Sequence, residues 1–133
     1  LRKGDDYMQS ELMGKGLCTV DYYMKAIDYM RKHINNPHFY VFTDNPCWVK
    51  DNLPEFEYIL VDWNEVSGKR NFRDMQLMSC AKHNIIGNST YSWWAAWLNA
   101  NQDKIVVGPK RFFNPINSFF STCDIMCEDW ISL

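Results

Sequence analysis

Short β-branched and aromatic segments alternate with segments of helical periodicity along this chain, and this alternation constrains the fold more than any other feature. Strands are predicted at residues 38–43, 58–61, 84–87 and 105–108. Helices are predicted at residues 20–34, 46–52, 72–82 and 92–99. Thr19 or Asp21 is the candidate cap of the first helix, and Asn45 caps the second ahead of Pro46. Because such strands and helices form right-handed βαβ units, we predict an α/β fold with a doubly wound, mostly parallel sheet.

The composition fits one packed core, since 47% of the 133 residues are hydrophobic and 16% are aromatic. We therefore expect a single domain over residues 1–133, in which the aromatic, irregular segment 111–133 only covers the rest. The first residue is Leu1 rather than Met, and the residues after it are polar. This opening leads us to expect a part of a longer protein.

Charge and cysteine content exclude several function classes. The formal net charge is −2 with both signs mixed, so we predict no nucleic-acid partner, which would need a basic face. Lys69, Arg70 and Arg73 form a local basic group that suits either one phosphorylated ligand or a solvated loop. The apolar stretches are too short for a membrane span. The five cysteines and three histidines show no metal-ligand spacing, so we expect a reduced, cytoplasmic protein without a metal.

Polar side chains follow each predicted strand. They are Asp44, Asp62, the segment 88–90, and Pro109 with Lys110. In a parallel sheet the carboxyl ends of all strands lie at one edge, which is where doubly wound folds hold nucleotides. If Leu1 ends a preceding strand, residues 2–5 join this edge. The sequence therefore predicts a nucleotide site there without naming a reaction.

The segment 88–94 follows a predicted strand and forms a hydroxyl-rich turn that leads into a helix. The first turn of a helix has free N–H groups and a partial positive charge, so it binds phosphate, and Ser89, Thr90 and Ser92 are candidate hydroxyl donors. The alternative is that Ser89 or Ser92 simply caps the helix. Trp93, Trp94 and Trp97 have helical spacing and are predicted to pack in the core rather than to stack on a sugar.

Two further positions are candidates for the same ligand. Arg2 offers a fork of donors matched to a diphosphate, although a solvated terminus is the ordinary alternative. Asp74 starts a helix, where it either favours the helix dipole or accepts the two N–H groups of a guanine edge. The chain has neither the glycine motif of dinucleotide sites nor a P-loop.

Taken in order, these segments resemble the C-terminal half of the α-1,2-fucosyltransferase family. Residues 1–5 are similar to its His-x-Arg-Arg-Gly-Asp motif, and residues 40–44 with Trp48 to its Ser-Asp-Asp segment. Residues 74–98 are the most specific stretch, and 105–110 fit its strand-Pro-Lys segment. The resemblance covers roughly residues 1–113.

The resemblance implies a GT-B-like enzyme of two lobes, in which this Rossmann-like C-terminal lobe holds GDP-fucose without a metal. Fucose would pass with inversion to a terminal galactose of a glycan, in α-1,2 linkage. The implied donor-binding residues are Arg2, Lys3, Asp74, Ser89, Thr90 and Ser92. Arg2 would contact the donor phosphates, and Asp5 is the candidate base for the acceptor hydroxyl.

The N-terminal lobe, which would shape the acceptor side, lies outside this chain, so we expect the chain alone to be inactive. At most we expect a peripheral contact with the inner membrane face of a bacterium. The alternative function is a non-catalytic nucleotide- or glycan-binding module of similar fold. A NAD-type domain is a third hypothesis, which the absent glycine motif disfavours.

Overall fold

A computed structural model describes residues 2–3, 17–54, 56–65, 68–113, 121 and 124–133, with the backbone alone at residues 2–3. These residues form six strands and four helices. In chain order they are β1 (Arg2–Lys3), α1 (Val20–His33), β2 (Phe39–Thr43), α2 (Pro46–Asn52), β3 (Tyr58–Val61), α3 (Arg73–Ser79), β4 (Asn84–Ile85), α4 (Thr90–Trp97), β5 (Val106–Gly108) and β6 (Ile131–Ser132).

Every pairing among these strands is parallel, as predicted. They form two three-stranded sheets, with the orders β1-β2-β3 and β4-β5-β6. In the first sheet Arg2 lies opposite Phe42, and in the second Ile85 lies opposite Val107. The chain therefore has the predicted parallel α/β class, but the predicted single sheet is divided in two within the part of the chain described.

Helices cover both faces of these sheets. Val41 of β2 packs in a cluster with buried residues of α1 and α2, whereas the next residue, Phe42, packs with Met78 of α3 and Ala95 of α4. The same alternation places Val107 of β5 in the α1 cluster and its neighbour Val106 against α4. Strands β2 and β5 thus contact apolar residues on both faces, as in parallel sheets that lie between two helical layers.

The predicted caps of the first two helices are confirmed. The Thr19 hydroxyl accepts a hydrogen bond of 3.2 Å from the backbone N–H of Tyr22, so Thr19 and not Asp21 caps α1. The side chain of Asn45 accepts one of 2.9 Å from the N–H of Trp48 and so caps α2. Each cap satisfies one of the N–H groups that lack a partner in the first turn of a helix.

Helices α3 and α4 have different bounds from those predicted. Helix α3 stops at Ser79, because the carbonyl of Met78 accepts a hydrogen bond of 2.9 Å from the buried side chain of Asn84. Helix α4 begins two residues earlier than predicted and ends at Trp97. There the Lys104 ammonium group donates to carbonyl oxygens of the last turn and of Asn99, at 2.8–3.3 Å.

The C-terminal segment takes part in the sheet, which the sequence prediction missed. Strand β6 pairs with β5 along Val107 and Ile131, so the prediction that residues 111–133 only cover the domain is wrong here. A two-residue strand has too little periodicity to be recognised from sequence. The prediction of core packing is also wrong for Trp94 and Trp97, whose side chains are about half exposed, while Trp93 is partly buried against Trp130.

No helix among the described residues is long and apolar enough to cross a membrane.

Candidate functional site

The carboxyl edge of the first sheet brings several predicted residues close in the fold. Arg2 and Lys3 themselves belong to β1 and lie level with Phe42 and Thr43, the last two residues of β2. Asp44 follows at once. The side chains of Arg2 and Lys3, and the whole of Asp5, lie outside the described residues, so their proposed roles stay predictions.

Cys18, which precedes α1, and Tyr22 of α1 both contact the turn that leads from β4 to α4. The sulfur of Cys18 accepts a hydrogen bond of 3.2 Å from the backbone N–H of Asn88. The hydroxyl of Tyr22 donates one of 2.6 Å to the carbonyl oxygen of Ile86. Burial, with a smaller effect of Cys18, raises the pKa of Tyr22 well above its ordinary value, so the hydroxyl keeps the proton that it donates.

The three hydroxyl residues of this turn have different environments. Ser89 is the N-cap residue of α4 and is buried, but its side chain makes no capping hydrogen bond. Thr90 is the first helical residue and is exposed. Ser92 is fully buried and donates its hydroxyl hydrogen to the carbonyl of Ser89 at 2.9 Å, with the carbonyl of Gly87 at 3.3 Å. The hydroxyl hydrogen of Ser92 is thus already donated to a backbone carbonyl within the turn.

Tyr91 of α4 forms hydrogen bonds with the backbone on either side of Asp74. The hydroxyl of Tyr91 donates to the carbonyl oxygen of Asn71 at 2.5 Å and accepts from the backbone N–H of Met75 at 2.8 Å. These two bonds hold both sides of Asp74 to the first turn of α4. The Asn64 side-chain amide donates to one carboxylate oxygen of Asp74 at 2.7 Å and so orients the carboxylate. The structure therefore connects the segment around Asp74 to Tyr91 in the first turn of α4. A shared ligand for Asp74, Ser89 and Thr90 stays a prediction.

The local charges suit an anionic ligand with a polar ring. The first N–H groups of α4 carry the positive end of the helix dipole. Lys69, Arg70 and Arg73, in the loop and first turn before Asp74, are exposed and form no salt bridge with the described residues. The half-buried Asp74 is an acceptor for N–H groups. The described residues thus offer positive charge and N–H donors for an anion, and a carboxylate that accepts from N–H groups.

Sequence reasoning missed the residues that position the site. Tyr22, Tyr91 and Cys18 contact groups 64, 20 and 70 residues away in the chain. A tyrosine or cysteine at helical spacing looks like any core residue, so no local signal marks these contacts. Asn64 lies in a polar loop, where its role depends entirely on the packing of α3.

A family model and several known proteins resemble this chain. The model of "Glycosyl transferase family 11" matches residues 1–133. The chain is 39% identical over 138 residues to the Escherichia coli O-antigen biosynthesis glycosyltransferase WbnK, covering 100% of this chain and 43% of that protein. It is 36% identical over 136 residues to an Escherichia coli alpha-1,2-colitosyltransferase, covering 100% of this chain and 46% of that protein.

A mammalian relative is more distant. The galactoside 2-alpha-L-fucosyltransferase SEC1 of Bos taurus is 27% identical over 99 residues, which is 74% of this chain and 27% of that protein. The chain spans less than half the length of these relatives. No solved structure gives a significant match. Because the family match extends over the whole sequence, residues 1–133, the chain belongs to glycosyl transferase family 11.

Proposed function

We propose that this chain is the donor-binding lobe of a two-lobed, GT-B-like glycosyltransferase. Its reaction would be the transfer of fucose from GDP-fucose, with inversion, to a terminal galactose in α-1,2 linkage. The observation that carries the proposal is the pair of Tyr91 hydrogen bonds, which join the helix of Asp74 to the start of α4 in a family 11 chain. Two of the relatives are named for α-1,2-colitosyl transfer and for 2-α-L-fucosyl transfer.

Asp74 is proposed to recognise the guanine. A guanine edge presents two adjacent N–H donors, and a carboxylate has enough lone pairs to accept both while it also accepts from Asn64. Uracil and adenine lack this pair of donors, so either base would leave the half-buried carboxylate without its partner. Base selection is therefore a direct test of this assignment.

The diphosphate is proposed to lie at the start of α4. Thr90 and the first N–H groups of the helix face it, with Ser89 beside them. Ser92 supports the turn from within, since its hydroxyl already donates to Ser89. Arg2 and Lys3 at the end of β1 would add positive charge to the leaving diphosphate, and Asp5 would take the proton of the acceptor hydroxyl. In this proposal no metal is required, so chelator should not weaken GDP binding.

Colitose is a second candidate for the transferred sugar. The relative named for colitosyl transfer is 36% identical over the whole of this chain. The relative named for fucosyl transfer is 27% identical, and that match covers 74% of this chain. The acceptor side would be formed by a further lobe, so we expect the 133-residue chain alone to bind donor without transferring sugar. A non-catalytic binding module would bind nucleotide equally well but would have no activity in any longer form.

Calorimetry with GDP, UDP and ADP on the 133-residue chain tests the donor site. We expect GDP to bind tightest, Asp74→Asn to remove that preference, and the control Asp103→Asn, an exposed residue of the α4–β5 turn, to leave it intact. Equal affinities for the three nucleotides would contradict the guanine assignment. The reaction itself requires a form of the relatives' length, incubated with GDP-fucose or a GDP-linked colitose and a galactose-terminated glycan. No product with either donor would favour the binding module.

A further inference from the structure

Asn64 and Asp74 form a contact that places one hydrogen-bond donor beside two acceptors. Asn64 lies in the loop after β3, and Asp74 lies in the first turn of α3. The side-chain amide nitrogen of Asn64 donates to one carboxylate oxygen of Asp74 at 2.7 Å, and both residues are half-buried. Because an ionised carboxylate only accepts hydrogen bonds, the group of Asn64 that faces it is the NH2 group.

This contact uses only part of the hydrogen-bonding capacity of the two side chains. The NH2 group of Asn64 has a second hydrogen, and both carboxylate oxygens of Asp74 have lone pairs to spare. Within the part of the chain that the structure describes, neither side chain forms another hydrogen bond or a salt bridge. Even Arg70 and Arg73, which closely precede Asp74 in the chain, do not pair with it. These groups are therefore available to a ligand.

The available groups follow one another in the order donor, acceptor, acceptor. They are the second N–H of Asn64, the carboxylate oxygen of Asp74 that Asn64 contacts, and the other oxygen of that carboxylate. The 2.7 Å between the first two atoms, and the shorter separation of two oxygens on one carbon, are close to the spacing of neighbouring polar groups along the edge of a base. Cytosine presents the same order of groups to guanine in a base pair. The two side chains thus have the hydrogen-bonding pattern of a cytosine edge.

We propose that Asn64 is a second specificity-determining residue of the donor site, which donates to the 6-oxygen of guanine while Asp74 accepts from N1–H and from the 2-amino group. This inference rests on the proposed function, in which Asp74 binds the guanine, and adds a third contact to it. Adenine has an amino group at position 6, so the N–H of Asn64 would face another donor. Uracil has an oxygen in the place of the 2-amino group, so the carboxylate of Asp74 would face another acceptor. Asn64 therefore selects against adenine at position 6, and Asp74 selects against uracil.

Calorimetry with GDP and 6-thioguanosine diphosphate tests the role of Asn64, because these two ligands differ only at position 6. Sulfur is a weak hydrogen-bond acceptor, so we expect the 133-residue chain to bind GDP more tightly by roughly three- to tenfold. Asn64→Ala should remove this preference, since the donor to position 6 is then absent. If Asn64 only oriented Asp74, its loss would weaken both ligands equally. A smaller folded fraction would also weaken both and leave their ratio unchanged.

Asn52→Ala is the matched control, because the side-chain amide of Asn52 donates to the carbonyl oxygen of Trp48 at 2.9 Å on the exposed side of α2. This variant should keep the preference for GDP over the 6-thio ligand. If the Asn64 variant also keeps it, while GDP still binds more tightly than UDP, the role of Asn64 is overturned and the guanine site stands. No preference between GDP and the 6-thio ligand in the unsubstituted chain would overturn it as well. Equal affinities of that chain for GDP, UDP and ADP would instead contradict the guanine site itself.

Discussion

The hydroxyl of Tyr22 donates a hydrogen bond of 2.6 Å to the backbone carbonyl of Ile86, 64 residues further along the chain, and also lies 3.4 Å from the carbonyl of Val107. This contact joins α1 to the residue after β4 and to the middle residue of β5. Ile86 precedes the turn that begins α4. The hydrogen bond from α1 therefore helps to fix the position of the proposed donor-binding turn.

Replacing Tyr22 with Phe should lower the free energy of unfolding by about 1–3 kcal/mol, because the buried carbonyl of Ile86 loses its donor. Urea unfolding measures the change. The control is Tyr29→Phe, since the Tyr29 hydroxyl makes no hydrogen bond with the described residues. Equal losses in the two variants would show that removal of any tyrosine hydroxyl lowers the stability to this extent, and that the Tyr22 hydrogen bond adds nothing specific.

Replacing Tyr91 with Phe should weaken GDP binding by roughly five- to thirtyfold, since two hydrogen bonds of about 1 kcal/mol each hold the Asp74 segment to α4. Guanosine should be affected as strongly as GDP, because the base segment moves. Titration calorimetry distinguishes the ligands. Tyr58→Phe on β3 is the matched control, and unchanged GDP affinity in the Tyr91 variant would remove the basis of the proposed site.

Stability should fall as the solution becomes acidic, and His83 should contribute to the fall. Partial burial, and then the charge of Lys82, lower the pKa of His83, whose Nδ1 accepts a hydrogen bond of 3.0 Å from the Ile105 N–H. With a folded pKa below the unfolded value of about 6.5, the unfolded state takes up the proton first. The contribution is therefore complete above about pH 6.5 and is lost as the pH falls through the lowered folded pKa.

The measurement compares urea midpoints at about pH 7.5 and about pH 5. His83→Gln keeps an acceptor for Ile105 but cannot titrate, so its midpoint should fall less than that of the unsubstituted chain. His38→Gln, at an exposed position before β2, is the control and should retain the full dependence. A His83 variant with an unaltered pH profile would show that the acid sensitivity arises elsewhere.

Gly108→Ala should destabilise the chain by about 0.5–1.5 kcal/mol, because a Cβ there would lie 2.7 Å from Cε and 2.8 Å from Sδ of Met126, whose flexible side chain must then leave its rotamer. Thermal unfolding measures the loss. The overlap is with the flexible end of a methionine, so the double variant with Met126→Ala should lose less than the sum of the two single changes. Strict additivity would mean that the two side chains do not compete for this space.

The parallel α/β class and the bounds of α2 and β3 could be predicted from local patterns. Pro46 after Asn45 marks the start of α2 through its fixed backbone angle and a side-chain cap, both of which are properties of neighbouring residues. The bounds of α3 and α4 could not be predicted, because Asn84 and Lys104 end them from other elements. The strand at Ile131 depends on pairing with Val107, which its own two residues do not encode.

For the site, the sequence alone determined which groups are available: a hydroxyl-rich turn at the start of α4, and a carboxylate at Asp74. Only the tertiary structure decided their use. It buried Ser92, so that this hydroxyl supports the turn, and it left Thr90 exposed at the start of the helix. It also placed Asp74 beside that turn through Tyr91. The physical reason is that residue type and spacing determine what a side chain can donate or accept, whereas burial and contacts between distant segments determine which partner it meets.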